Sequence, residues 1–349
     1  MSARTTTVAP RAGAPATRYA LFGCIGVGAP AGVLAALALT TTAAVPGIVE
    51  PGAAVVVGLP LARALLDLSA LTTVGMSLLP KFVGFDQPER TAKATAVARR
   101  VAVWSSVLWL VAALASLEFQ TANFSPGQPV TLSAIGDYVR EIGSGQALLI
   151  VAGCALLYLV IGVLAVRRGE TVPAELRITV SMFALLPLPA TGHAADAASA
   201  WHDLTMISME LHVVGAVLWT GGLLAVIMVL GTNRALLADA LPGYSKLATV
   251  CVFLTAVTGA LNGWFELYLT PGVHWYVALF ATGYGRILIG KIICVAAAGL
   301  LGAHVRFRLL PAIRQRKATA VAGWAAAEVA VMGVAFGLAA VLVQAPVVS

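Results

Sequence analysis

Charge is what this 349-residue sequence has least of: Asp, Glu, Lys and Arg together make up 11%, against about a quarter of an ordinary soluble domain. So few charged side chains cannot cover a water-facing surface. Cysteine is scarcer still. Cys24, Cys154, Cys251 and Cys294 each lie in a different apolar run, and none forms a C-x-x-C pair; this argues against a disulfide framework or a zinc site and leaves them as small packing residues. The alternating pattern of a transmembrane barrel is missing. So are a nucleotide-binding loop and a cytosolic catalytic domain, which argues against an ATP-driven pump and reads the chain as not an enzyme. The net charge of +7 comes without a basic domain or interleaved aromatics, so no nucleic-acid partner is expected.

What is present is hydrophobic: 60% of residues, with a mean hydropathy of +0.92. The apolar residues fall into runs of about 20, each able to cross a bilayer as a helix. Backbone groups in lipid must satisfy their own hydrogen bonds, so the runs are helices. The expected fold is all-α, a polytopic transmembrane bundle in contact with membrane lipid. We count nine spans, near 19–44, 54–79, 97–118, 146–166, 176–192, 204–231, 246–269, 284–304 and 321–343. The first follows Arg4, Arg11 and Arg18 and is read as a retained helix rather than a signal peptide, with cleavage near residues 43–44 as the alternative. Residues 1–18 are expected to be a disordered cytoplasmic N-terminus, 19–179 an N-terminal set of transmembrane helices, 180–343 a transmembrane core and 344–349 an outer tail. A short interfacial helix is expected around 134–142.

Basic residues set the expected orientation. Alternate connections carry Arg4, Arg11 and Arg18; Lys81, Arg90, Lys93, Arg99 and Arg100; Arg167, Arg168 and Arg177; Arg234 and Lys246; and Arg306, Arg308, Arg314, Arg316 and Lys317. Only Arg63, Arg140, Arg286 and Lys291 lie elsewhere. The positive-inside rule then puts the N-terminus in the cytoplasm and the C-terminus outside.

On that orientation the connection after the fifth span faces outward, and it begins the stretch TGHAADAASAWHDLTMISMELH (191–212). Three of the five histidines and two of the seven methionines are here. Taken as a helix from His202, the residues His202, Met206, Met209 and His212 fall within roughly a 120° stripe, which with His193 makes a ladder from the outer surface into the membrane. Imidazole with thioether suits copper, as Cu(I) or Cu(II), better than zinc. A lone Met on an apolar helix ordinarily packs, and a loop histidine is ordinarily solvated. His212 differs, because an ionisable side chain inside a span is costly and marks function by default.

Other polar residues lie within the spans. Arg63 and Asp67 are four residues apart and can pair. Glu210 follows Met209, Asn262 and Glu266 share a face of the seventh span, Lys291 sits midway down the eighth and Glu328 lies in the ninth. Glu210, Glu266 and Glu328 are the candidate partners of Lys291. Together these groups describe a polar interior, structural or forming an ion pathway. Trp219 precedes Thr220-Gly221-Gly222, whose glycines permit close helix approach.

Several pieces in order resemble the copper resistance protein D family (CopD): TGHAA (191–195), LHVVGAVLWTGGLLAV (211–226), YSKLATVCVFLTAVTGALNG (244–263), TGYGRILIGK (282–291) and AAEVAVMGVAF (326–336). The resemblance covers about 180–343, and the first four spans fit in number and character only. It implies a multi-pass protein of the bacterial plasma (inner) membrane that handles copper in homeostasis and resistance. Such proteins are proposed to move copper from the periplasmic side inward or to membrane cuproenzymes. A periplasmic copper-binding protein or a cytochrome oxidase assembly factor is the implied partner. His193, His212, Trp219, Tyr284, Lys291 and Glu328 sit at family motif positions, whereas His202, Met206 and Met209 rest on spacing. In some actinobacterial relatives a second membrane domain resembling copper-assembly factors follows; this sequence ends at Ser349 without one, so it is a stand-alone version or a piece of a longer chain. Copper transport or transfer is therefore the expected function. A scaffold delivering copper to a cuproenzyme is the alternative, and a b-type haem oxidoreductase with His212 as axial ligand is the remote one.

Overall fold

The computed structural model describes residues 14–40, 49–84, 88–192, 201–269, 272–314 and 321–345. The described residues are helical and contain no strand. In chain order the helices are α1 (Ala14–Leu39), α2 (Ala53–Val83), α3 (Pro88–Phe124), α4 (Leu132–Glu141), α5 (Gly143–Arg168), α6 (Ala174–Phe183), α7 (His202–Leu230), α8 (Arg234–Leu269), α9 (Trp275–Ala281), α10 (Gly283–His304), α11 (Leu310–Arg314) and α12 (Val321–Leu342). Seven are long and apolar enough to cross a membrane, and α1 contributes a shorter apolar stretch, Gly23–Leu39. The expected disordered N-terminus lies largely outside the described residues.

Eight of the nine expected spans therefore meet a helix; the fifth, 176–192, does not form one continuous span. It is the ten-residue α6, then turns, then one 3₁₀ turn at Leu188–Thr191. Pro187 and Pro189 explain the break, because each lacks an amide proton and disfavours helix in the residue before it. The segment nevertheless runs alongside much of α2. Glu175 pairs with Lys81 near one end of that helix, and Thr191 accepts a hydrogen bond from Arg63, ten residues inside the other. Those two α2 positions are about 27 Å apart at 1.5 Å per residue. The expected interfacial helix is α4, with the Thr131 side chain capping the Ala134 amide at 3.2 Å.

Small residues bring the long helices together, as in other membrane bundles. A Cβ on Gly75 of α2 would sit 2.0 Å from the Gly221 carbonyl oxygen of α7, so the glycines after Trp219 do serve close approach. Helices α1 and α12 meet in the same way, with Gly32 against the Val334 carbonyl and Gly337 against that of Ala29. The outer faces of α8 and α10 carry exposed Val250, Phe253, Ile293 and Leu300, as lipid contact requires. The four cysteines are free thiols.

The two ends of the bundle differ. One holds Lys81 with Glu175, Arg90 with Asp239 at 2.9 Å, and Arg306 with the Ser245 carbonyl at 3.0 Å. The other holds α4 and an aromatic group in which Trp264 stacks on Tyr268 and meets Trp275, the kind of belt found at a membrane–water interface.

Candidate metal-binding cavity

A cavity of about 620 Å³ lies in the aromatic half of the bundle, between α2, α7, α8, α10, α12 and the broken segment. Non-helical backbone at membrane depth is tolerated where it lines such a cavity, and Leu188, Pro189 and Gly192 do line it. Trp219, Thr220, Ala298 and Met332 are its deepest residues along their helices. Below them every residue of α7 from 219 to 230 is buried.

Most of the expected intramembrane residues converge here. Arg63, Asp67, Met209, His212, Trp219, Asn262, Glu266, Tyr284 and Lys291 all line the cavity. His202, Met206, Glu210 and Glu328 do not, and His193 lies outside the described residues. The face of α7 turned to the cavity carries Thr205, Met209, His212, Ala216 and Thr220, a regular i, i+4, i+7, i+11, i+15 stripe. The ladder expected from His202 shares only Met209 and His212 with it. Met206 is about 100° round the helix from Thr205 and Glu210 about 100° from Met209.

His212 is held in one orientation. Its Nδ1 lies 3.0 Å from the Thr255 carbonyl oxygen and 3.3 Å from Thr258 Oγ1. A carbonyl only accepts, so Nδ1 carries the proton in this bond. In the neutral ring Nε2 is then the nitrogen with a lone pair, the arrangement by which an outer hydrogen bond prepares a metal-ligating histidine. Gly259 makes room for the ring: a Cβ there would be 2.9 Å from His212 Cε1. One turn toward the aromatic end, Met209 Sδ accepts from Asn262 Nδ2 at 3.7 Å. His212 and Met209 are three residues apart and share the face, which places a nitrogen and a soft sulfur donor along one wall.

The charged groups belong to other helices. Arg63 Nε lies 3.3 Å from Asp67 Oδ1 in the expected i, i+4 pair, and Arg63 also donates to Thr191 Oγ1. Lys291 of α10 lines the same cavity as Asp67. Of the three acids expected for Lys291, only Glu266 shares the cavity with it. Glu328 instead accepts from Trp219 Nε1 at 3.3 Å, and the Trp219 carbonyl accepts from Tyr244 Oη at 3.0 Å. This buried network lies beneath the cavity floor and ties α12, α7 and α8 together.

Two residues outside the sequence expectations, Thr255 and Gly259, orient His212. Their signal is a stripe on α8: Thr255, Gly259, Asn262 and Glu266 recur at i, i+4, i+7 and i+11, the helical period of a cavity-facing side. Among the described residues, no three His, Cys, Asp or Glu side chains are grouped as a metal site; His212 and Met209 are the donors on the α7 wall, with Asp67, Glu266 and Cys294 on the walls made by α2, α8 and α10.

The family model described as copper resistance protein D matches residues 238–342. A second, described as copper resistance protein D-like, N-terminal domain, matches residues 50–203, so the likeness reaches well into the helices where sequence motifs were lacking. Residues 204–237, with Met209, His212 and Trp219, lie between the two matches. No curated protein and no solved structure matches the chain.

Proposed function

The chain belongs to the copper resistance protein D family, and from that premise we propose that it carries copper across the bacterial plasma membrane, inward from the outer side. The observation that carries this reading is His212: a histidine inside the bilayer depth, its Nδ1 committed to the Thr255 carbonyl, its other nitrogen prepared for a metal and a thioether one turn away. Copper is the cargo. The cavity lies in the half of the bundle away from the basic residues, which by the positive-inside rule is the outer side. The buried half of α7 closes the path beneath it, as a carrier that opens to one side at a time requires. A pair of donors binds loosely enough for an ion both to arrive and to leave. We read the protein as a carrier contributing to copper homeostasis and resistance, not as an enzyme.

The test is copper accumulation in proteoliposomes containing the purified protein. Wild type is expected to accumulate copper, and His212→Ala at equal incorporation to fall to the protein-free background. Unchanged accumulation by the variant overturns the reading. Copper bound by wild type but not moved favours the scaffold that hands copper to a cuproenzyme or its assembly factor. The haem alternative gains no support from the geometry: among the described residues, His212 is the one histidine lining the cavity.

A further inference from the structure

The two sides of the cavity floor differ in charge balance. Above it, Arg63 and Lys291 share the cavity with Asp67 and Glu266, so basic and acidic side chains match in number. Below it lies Glu328, 3% exposed and within the apolar span Gly323–Leu342. Among the described residues no Lys, Arg or His forms an ion pair with it. Its partner is the Trp219 indole N–H, a neutral donor, at 3.3 Å; a charge-assisted bond is ordinarily about 2.7–2.9 Å. A carboxylate buried in the membrane with so little compensation is costly, and it offers a cation more than the balanced cavity above does.

The groups around Glu328 suit a soft cation. Met332 lies one turn toward the outer side on α12, 3% exposed, and belongs to the cavity floor. At a spacing of four residues its sulfur and the Glu328 carboxylate share a face of the helix. The pairing repeats that of α7, where Met209 and His212 are three residues apart. Gly302 of α10 gives the carboxylate room: a Cβ there would stand 3.0 Å from Glu328 Oε1 and 3.7 Å from Oε2. Trp219 joins the two levels. It lines the cavity floor while its N–H holds Glu328, and it lies about 10 Å along α7 from His212 at 1.5 Å per residue.

We propose that Met332 and Glu328 form an inner copper station, reached from His212 and Met209 when Trp219 gives up its hydrogen bond; this rests on the copper-carrying reading and extends it past the floor. Copper takes the Met332 thioether and a Glu328 oxygen. The indole N–H, which occupies the carboxylate while the floor is closed, is exchanged for the metal, and no electron is transferred. A thioether with one carboxylate is a weak pair, which suits a stop that an ion must leave.

The experiment titrates the full chain, purified in detergent, with copper(I) against a competing chelator, and follows copper accumulation in proteoliposomes. Glu328→Gln keeps the size of the side chain and an acceptor for the Trp219 N–H, so its thermal unfolding is expected to match wild type. It is expected to bind one copper fewer per chain than wild type and to lower the rate of accumulation about tenfold or more. His212→Ala is expected to bind one fewer as well, and the double variant two fewer. Trp219→Phe removes the competing N–H and is expected to tighten the inner copper about tenfold, a gain that a merely structural hydrogen bond does not give; an unchanged or weaker inner copper overturns the exchange. Wild-type copper binding by Glu328→Gln overturns the station, and with accumulation lost it makes the carboxyl a proton or packing group instead. Loss of both coppers in Glu328→Gln overturns it too, because the carboxylate then acts through His212. These outcomes leave the copper-carrying reading intact, whereas no copper bound or accumulated by wild type overturns both.

Discussion

The two halves of α7 are built differently although they are one continuous helix. From His202 to about residue 218 most positions are half-buried or exposed, and its cavity face carries Thr205, Met209 and His212. From 219 to 230 every residue is buried, and after Trp219-Thr220 the sequence there is glycine and aliphatic side chains with the single thioether Met228. Both halves are hydrophobic on average, so hydropathy alone does not separate them. What separates them is the neighbourhood: the upper half faces a cavity that α2, α8 and α10 line with polar side chains, while the lower half is buried throughout. An apolar span can thus hold donors where a cavity compensates them, and must be inert where nothing does.

This contrast can be broken from either half. The largest expected loss of stability comes from the charged wall of the cavity. Asp67→Asn leaves Arg63 without its carboxylate and should cost about 3 kcal/mol, the lower end for a broken buried ion pair because the cavity admits water. Thermal unfolding in detergent checks this, and the double variant Arg63→Met/Asp67→Leu should regain most of the loss.

In the lower half, Gly221→Ala puts a Cβ 2.1 Å from the Leu71 carbonyl oxygen. It should cost about 1–3 kcal/mol by forcing α2 and α7 apart. The copper affinity of the folded fraction should stay unchanged; a loss of affinity at wild-type stability would erase the distinction between the halves.

Gly259→Ala acts on the upper half without touching a donor atom. It displaces the His212 ring from its carbonyl partner and should weaken copper binding about tenfold, the lower end for loss of an outer-shell orienting contact. Equilibrium binding on purified protein measures it, and a wild-type affinity would mean that the Thr255 contact does not orient the ligand. Met209→Leu is the mildest change, expected to alter stability by less than about 1.5 kcal/mol while lowering copper affinity less than Gly259→Ala does.

Several of these features are legible in the sequence, and the failures have physical causes. The Arg63–Asp67 pair follows from i, i+4 spacing within one helix and forms as expected. Averaged hydropathy carries the fifth span through Pro187 and Pro189 because it does not register a missing amide proton; the backbone does. Spacing phases the ladder from His202, the first donor on the helix, whereas the phase of α7 is set by which face packs on α8 and α2. That moves Met206 off the cavity and brings in Thr205. Thr255 acts through its carbonyl oxygen, which side-chain chemistry cannot reveal.

Scarce charge, long apolar runs and the placement of basic residues in alternate connections are properties of the chain itself. Through the cost of burying unpaired backbone in lipid they determine an all-helical membrane bundle, and through the cost of a buried imidazole they single out His212. Which groups meet His212 was decided only by the packing. Arg63 and Lys291 lie 228 positions apart and share one cavity because the glycine contacts between α2 and α7, and between α1 and α12, draw distant helices together while the prolines after α6 hold a gap open beside them.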